Sequence, residues 1–429
     1  MKNIFKKFIV TILTLEAKVL LARHKPKIIA ITGSVGKTSM KDAIYSILKK
    51  HYPTRKSEKS FNSDIGVPLT VLGLPNAWSN PFLWLKNITD GFFIAIFTRH
   101  YPTYLVLETG VDRPGDMKKL ASWIKPDIVV LTRFPDVPVH VEFFKTPEEV
   151  VREKMHLAEA LKPSGVVIYN HDDQIILREI SQVRQQAIGY SRYLSSQFNA
   201  SADKIVYKDD VPVGISFTVE NINDKAEVRI TGAVGEPVVY TATGAIAVAA
   251  ECGISLTDSV VALKDLLPPP GRLRIISGLK GTVLIDDTYN SSPIAVEQAL
   301  ATLKEIKYAK RKIAVLGDML ELGRFSSREH ERVGELVAVT ADVLITLGVR
   351  ARKIAEAALS SGMSEKMIMQ YEDVAKAGKE LQVFLEPGDV VLVKASQGIR
   401  AEKVIEEVMQ EPELAPTLLV RQDSGWMKR

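Results

Sequence analysis

The order of apolar runs along this 429-residue chain predicts an α/β protein built on largely parallel sheets. Three observations carry that expectation. Short β-branched runs alternate with helical stretches, at Tyr104–Glu108, Asp127–Thr132, Val166–Asn170, Val283–Asp286, Lys312–Leu316, Val343–Leu347 and Val390–Val393. A glycine-rich turn joins the first apolar run, Ile28–Thr32, to a helical stretch with Ala43, Ile44, Ile47 and Leu48 on one face. The Pro268–Pro269–Pro270–Gly271 cluster is the sharpest punctuation in the chain, and it divides a central domain, 28–270, from a second α/β domain, 271–410. Within the first domain, Gln185 to Tyr240 changes to short alternating strands with turn residues, which predicts an antiparallel flank. The segment 411–429, with Pro412 and Pro416, reads as a loosely attached tail.

The turn after the first strand holds the most specific chemistry. Gly33–Ser34–Val35–Gly36–Lys37–Thr38–Ser39 sits between a strand and a helix, the context in which a glycine loop cradles phosphate. Gly33 and Gly36 let backbone N–H groups face an anion at the helix N-terminus. Lys37 reaches β/γ-phosphates and the Thr38 hydroxyl suits Mg²⁺. The loop is a short G-x-x-G-K-T, because Ile31 stands at the first glycine position of the longer pattern.

Bulk properties narrow the class. An apolar content of 46% with 25% charged residues is that of a soluble globular chain, long enough for two or three cores. A net charge of +5 without a basic, aromatic-interleaved stripe gives no support to nucleic-acid binding. The single Cys252 excludes an intramolecular disulfide and a cysteine zinc cluster, and it suits a reducing cytoplasm.

Residues 1–27 form a separate N-terminal amphipathic helix. Its uncharged run, Phe8–Leu15, is far short of the roughly 20 residues needed to cross a bilayer. No small-x-small cleavage site follows. Two readings stay open: a helix packed on the body, or a helix lying on a membrane surface with its lysines near anionic headgroups. The aromatic stretch Pro81–Phe97 either joins that surface or belongs to the core.

Four further segments place polar groups at strand ends, where ligands of open α/β sheets gather. Glu108–Thr109–Gly110 offers a carboxylate for Mg²⁺. After the Asp127–Thr132 run come His140 and Glu142, with Lys154 on a helix. Gly271–Arg272 precedes Asp286–Asp287–Thr288–Tyr289–Asn290–Ser291–Ser292–Pro293, and Leu316–Gly317–Asp318–Met319–Leu320–Glu321–Leu322–Gly323 ends the next strand.

In this order the segments resemble the Mur ligase family, the ATP-dependent amide-forming enzymes of cell-wall precursor synthesis. Ile65–Gly66–Val67–Pro68–Leu69–Thr70 downstream of Asn62, and Val393–Lys394–Ala395–Ser396, extend the resemblance from about Ile28 to Glu407. Within the family the chain is most similar to the branch that adds D-alanyl-D-alanine to a UDP-N-acetylmuramoyl-tripeptide. The resemblance implies a P-loop ATPase domain followed by a Rossmann-like ligase domain. It also implies formation of an acyl phosphate from a substrate carboxylate, and attack on it by an amine.

Residue by residue, the resemblance implies that Gly33, Ser34, Gly36, Lys37, Thr38 and Ser39 bind the nucleotide, joined by Arg272, Asp287 and Asn290 from the second domain. Thr38 and Glu108 would hold one Mg²⁺, and His140 with a carbamylated Lys154 a second. Asn62, Asp318, Glu321, Lys394 and Ser396 fall to the substrates, with Asp318 and Glu321 orienting the incoming amine. The expected partners are a nucleotide-sugar peptide and an amino acid or dipeptide, handled by a cytoplasmic monomer with peripheral membrane contact through the N-terminal helix.

Departures from the family pattern bear on the acceptor. The usual UDP-sugar-binding front domain has no counterpart in the 27 residues before the first strand. Met155–His156 replace Gly-Glu after Lys154, Gly244 stands where an asparagine is expected near the adenine, and Ser292 replaces an asparagine. A lipid-linked acceptor, a polyglutamate-synthase-like activity and a non-catalytic scaffold are the alternatives. An amidating relative with a four-cysteine zinc site is excluded by the cysteine count.

Overall fold

A computed structural model describes residues 2–58, 61–78 and 80–427. Met1, at the head of the expected N-terminal helix, and Lys428 and Arg429, at the end of the expected tail, lie outside the described residues. The first half runs α1 (Lys2–His24), β1 (Lys27–Thr32), α2 (Lys37–Leu48), β2 (Thr54–Lys56), α3 (Gly66–Leu72), α4 (Pro81–Phe97), β3 (Tyr104–Glu108), α5 (Asp116–Ile124) and β4 (Ile128–Leu131). It continues with α6 (Pro147–Glu159), β5 (Val166–Asn170), α7 (Gln174–Ile180), β6 (Gln186–Ser191), β7 (Phe198–Lys208), β8 (Val211–Glu220), β9 (Lys225–Thr231), α8 (Glu236–Glu251) and α9 (Leu256–Leu263).

These nine strands make one sheet, ordered β2-β3-β1-β4-β5-β6-β7-β8-β9. The pairs from β2 to β6 are parallel, and β7–β8–β9 form an antiparallel meander. The expected flank is therefore present with two differences: β6 extends the parallel part, and the stretch from Glu236 is already helix. The chain leaves β1 toward β3 on one side and returns to β4 on the other, so the glycine loop emerges at a topological switch point. Alternation along β1 fills two cores. Ile29 and Ile31 pack with α2 and α8, while Ile28 and Ala30 face the layer that contains α1.

The second half comprises β10 (Arg274–Ser277), β11 (Val283–Asp286), α10 (Pro293–Glu305), β12 (Lys312–Gly317), α11 (Ser326–Ala338), β13 (Val343–Leu347) and α12 (Arg352–Ser360). It continues with β14 (Ile368–Tyr371), α13 (Val374–Phe384), β15 (Val390–Lys394) and α14 (Glu402–Val408), followed by the short helices α15 (Ala415–Leu418) and α16 (Ser424–Met427). Its sheet, β10-β11-β15-β12-β13-β14, is parallel except for the β10–β11 edge. The segment after Glu411, read from its prolines as loosely attached, is anchored instead. Ala415, Leu419 and Val420 are buried, and Arg421 donates to the Thr288 and Tyr289 carbonyls while pairing with the buried Glu402. Apolar burial and a charged clamp override the proline signal.

Helix α1 packs on the body through Ile9, Leu13, Ala17 and Leu20, spaced by four, four and three residues on the face toward α3 and α4. Among the described residues no helix is long and apolar enough to cross a membrane. Glu16 is turned inward with this stripe. Its Oε2 has no hydrogen-bond partner among the described residues, and a Cβ on Gly91 of α4 would stand 2.1 Å from that oxygen. Burial pushes the carboxyl up to about 7 from 4.5. A raised carboxylate pKa costs stability as pH rises from the unfolded value through the folded one. Glu16→Gln should therefore raise the thermal midpoint by about 2 °C at pH 8 and by much less at pH 5, read by calorimetry at the two pH values.

Candidate active site

The site is built on Glu108. The parallel register sets Ile31 of β1 beside Glu108 of β3, so this buried carboxylate lies next to the strand end from which the glycine loop departs. Thr38 Oγ1 donates to Glu108 Oε2 at 3.0 Å, and Asn62 Nδ2 donates to Oε1 at 3.1 Å. The backbone N–H of Glu108 donates to Ser57 Oγ. A buried charge needs this degree of satisfaction to be tolerated.

Close backbone approach explains the glycines. A Cβ on Gly33 would fall 2.0 Å from Thr132 Oγ1, and Gly36 caps α2 with φ +87°. Thr132 donates to the Val35 carbonyl and Ser34 N–H to the Arg133 carbonyl, pinning the loop to the end of β4. Lys37 Nζ donates to the Gly33 carbonyl at 2.8 Å. Burial lowers its pKa, opposed by Glu108. Lys154 projects from α6 to the same loop, with Nζ 2.7 Å from Ser34 Oγ. Burial, and then Lys37, hold that amine well below its ordinary 10.5.

The second domain closes the site. Arg272 lies over the Tyr289 ring at 4.1 Å and donates to Thr38 Oγ1 at 3.4 Å, an inter-domain contact at the phosphate loop. Asp287 and Lys394 form a buried ion pair of 2.6 Å, and Lys394 also donates to the Asn290 carbonyl at 2.9 Å. Desolvation pushes the Asp287 carboxyl up and the Lys394 amine down, each opposed by its partner. Asp286 is buried beside them, accepting from Gly271 N–H and from Thr288, and burial pushes it up to about 6.

The remaining expected residues divide. His140 faces two carboxylates other than Glu108. Among the described residues no group of three or more His, Cys, Asp or Glu side chains is arranged to hold a metal. His140 Nδ1 lies 2.8 Å from Glu321 Oε2, and Nε2 lies 3.6 Å from Asp112 Oδ1. The pair with His140 holds the Glu321 carboxyl below its usual range. Asp318 accepts from the Ala351 N–H at 2.7 Å, and Ser396 Oγ accepts from the Leu320 N–H at 2.9 Å, so both side chains shape the loop carrying Glu321. Ser39 lines a pocket of about 70 Å³ with Gly36, Arg272, Asp287 and Lys394. A larger cavity of about 880 Å³ opens from Thr38 and Arg272 toward Lys56, Trp78 and Trp426. Asp112 and Arg421 have no place among the sequence-predicted residues, and Tyr289 stands in the Asp286–Pro293 motif without a role of its own. Asp112 had a detectable signal, four residues past Glu108 in the same strand-end loop, whereas Arg421 had none. Gly244 also has a structural reason: a Cβ there would stand 2.5 Å from Met40 Cε and 3.1 Å from Tyr190 Cζ.

A phosphate loop at the switch point of one parallel sheet, met by an arginine from a second α/β domain, defines a nucleotide-using enzyme that works between two lobes. The chain belongs to the Mur ligase family, whose members are ATP-dependent, ADP-forming ligases that make amide bonds. It matches the Mur ligase middle domain over residues 31–83 and 86–249 and the Mur ligase, glutamate ligase domain over 271–397. More particularly, it is similar to UDP-N-acetylmuramoyl-tripeptide–D-alanyl-D-alanine ligases. That of Bacillus subtilis (strain 168) is 28% identical over 400 residues, covering 92% of this chain and 79% of the relative. That of Mycobacterium leprae (strain TN) is 31% identical over 397 residues, covering 87% and 71%. The crystal structure of MurF ligase from Thermotoga maritima in complex with ADP shares the fold with a TM-score of 0.76 at 24% identity, covering 94% of this chain and 84% of that one.

Breaking the Asp287–Lys394 pair from one side leaves a buried charge without a partner. Asp287→Ala should destabilise the protein by about 3–5 kcal/mol in urea unfolding, more than the loss of one surface ion pair.

Proposed function

We propose that this chain joins D-alanyl-D-alanine to a UDP-N-acetylmuramoyl-tripeptide through an acyl phosphate. The observation that carries the reading is Arg272 reaching from the second domain to Thr38 at the end of the phosphate loop, where Thr38 donates to Glu108, in a chain that aligns with such ligases over most of its length. A carboxylate oxygen of the tripeptide attacks the γ-phosphorus of ATP and ADP leaves. The dipeptide amine then attacks the acyl carbon, phosphate departs, and the amine loses a proton. Lys37, with the loop N–H groups, neutralises charge on the β/γ-phosphates, and Arg272 adds a second cation as the lobes close. The 70 Å³ pocket is far below the several hundred cubic ångströms of ordinary ligand sites, so the lobes separate to admit the nucleotide beside Ser39, Arg272 and Asp287. The 880 Å³ cavity has the size for the acceptor.

The donor set fits magnesium: Thr38 Oγ1 and Glu108 Oε2 are buried hard oxygens in mutual contact. These two residues would hold one ion, and it supplies charge neutralisation between phosphates. A second ion falls to His140 and a carbamate on Lys154. The low basicity of Lys154 supports this, because the free amine is the form that adds carbon dioxide, losing a proton to become an oxygen donor. Glu321 and Asp318 keep their role near the incoming amine through the loop they shape. The enzyme works in the cytoplasm as a monomer, with peripheral membrane contact through α1. A lipid-linked acceptor is the second reading, favoured by the apolar outer face of α1.

Phosphate release with ATP, Mg²⁺, the UDP-linked tripeptide and D-alanyl-D-alanine should require both substrates and yield the pentapeptide by mass spectrometry. Lys37→Ala should lower kcat by about a thousandfold. No pentapeptide product would overturn the assignment of these substrates. Labelled bicarbonate should give a carbamate carbon resonance that Lys154→Gln lacks, and an unchanged spectrum in that variant would remove the carbamate.

A further inference from the structure

The outer surface of α4 reverses the usual pattern of a surface helix. Its inward face carries Trp84, Asn87, Gly91 and Ala95, while Phe82, Leu85, Phe92, Phe93, Ile96 and Phe97 point outward. The exposures are large: 81% for Phe82, 64% for Leu85 and 64% for Phe97. Phe93 makes ring contacts with both Phe92 and Phe97, so the rings form one cluster. Single exposed apolar residues need no explanation, but a helix that turns its apolar side to solvent does.

Helix α1 continues the surface. It packs side by side with α4, running in the same direction: Glu16 lies against Gly91, and Arg23 donates to the Ala95, Ile96 and Thr98 carbonyls. That arginine satisfies the C-terminal carbonyls of α4 and fixes which face of α4 looks outward. Phe8, Leu15 and Val19 are exposed on α1 at helical spacing, opposite its buried stripe.

Charge and polarity distinguish the occupants. Glu16, the sole acidic residue of α1, is buried, while Lys7 and Lys18 are exposed. On α4, Asp90 is paired with Lys86, and Arg99 follows the helix end exposed. The Thr89 hydroxyl is spent on the Leu85 carbonyl. Protein interfaces carry about one hydrogen bond per 100–200 Å². This face offers rings and aliphatic chains with few directional groups and a basic fringe, which suits acyl chains beneath anionic headgroups.

We propose that α1 and α4 together form a docking face for an anionic phospholipid bilayer, with α4 as the main inserting element and both helices lying in the plane of the interface. This deepens the membrane contact proposed through α1. Its test needs neither ATP nor acceptor, so it stands or fails separately from ligation.

The full chain should co-sediment with vesicles of phosphatidylcholine containing about one third phosphatidylglycerol, more strongly than with phosphatidylcholine alone, and less as salt rises. The triple variant Phe92→Ser, Phe93→Ser, Phe97→Ser should keep the wild-type thermal midpoint and circular dichroism while losing about tenfold in vesicle partitioning. Lys7→Glu with Lys18→Glu should abolish the preference for the charged vesicles. Wild-type protein remaining in the supernatant, or a folded triple variant that partitions equally, would overturn the proposal. A wild-type dimer in sedimentation velocity that the triple variant loses, without vesicle binding, would assign the face to self-association and overturn it as well.

Discussion

Burying the Glu108 carboxylate at the end of β3 is the constraint on which the rest of the site depends. A carboxylate in that position is tolerated only if its lone pairs are occupied, and Thr38 and Asn62 occupy them from two different segments. The phosphate loop, the segment before α3 and the end of β3 are thereby held together. Lys37, Lys154 and Arg272 then converge on a small volume of positive charge around one carboxylate. Such an arrangement is costly for an empty site and well matched to a polyphosphate.

The second domain contributes through a network rather than through isolated side chains. Lys394 is held by Asp287 and the Asn290 carbonyl, and Arg421 from the terminal segment holds the Thr288 and Tyr289 carbonyls. Tyr289 in turn supports the guanidinium of Arg272. The terminal segment therefore buttresses the arginine that reaches the phosphate loop. His140 and Glu321 form a second contact between the lobes near the site. Away from it the lobes are joined by the Ala233–Arg274 backbone bridge, the Tyr207–Tyr308 ring pair and the packing of Val234 with Leu273.

The opposite layer of the first domain is organised on another principle. Helix α1 uses its apolar stripe to cover α3 and α4, yet α4 turns Trp84, Asn87, Gly91 and Ala95 inward and its phenylalanines outward. Glu16, turned inward against Gly91, has its carboxyl pKa raised by burial. Helix packing alone does not account for that choice of faces.

By itself the sequence determined the alternation of strands and helices, the phosphate loop with its glycines, and the carboxylates at strand ends. Each of these is a local pattern: a period of two or 3.6, a turn that only glycine fits, a motif of fixed spacing. The residues Lys37, Thr38 and Glu108 were legible for that reason, whereas Arg272 and Asp287 take their roles from the resemblance to the family. Only the tertiary structure decided that Arg421 clamps the second domain and that His140 faces Glu321. It also decided that Asp318 and Ser396 bond to backbone, and that the aromatic run of α4 splits between core and surface. Those outcomes depend on which distant segments meet and on how each helix is rotated about its axis. Long-range packing and the satisfaction of buried polar groups set both, and neither leaves a trace in local spacing.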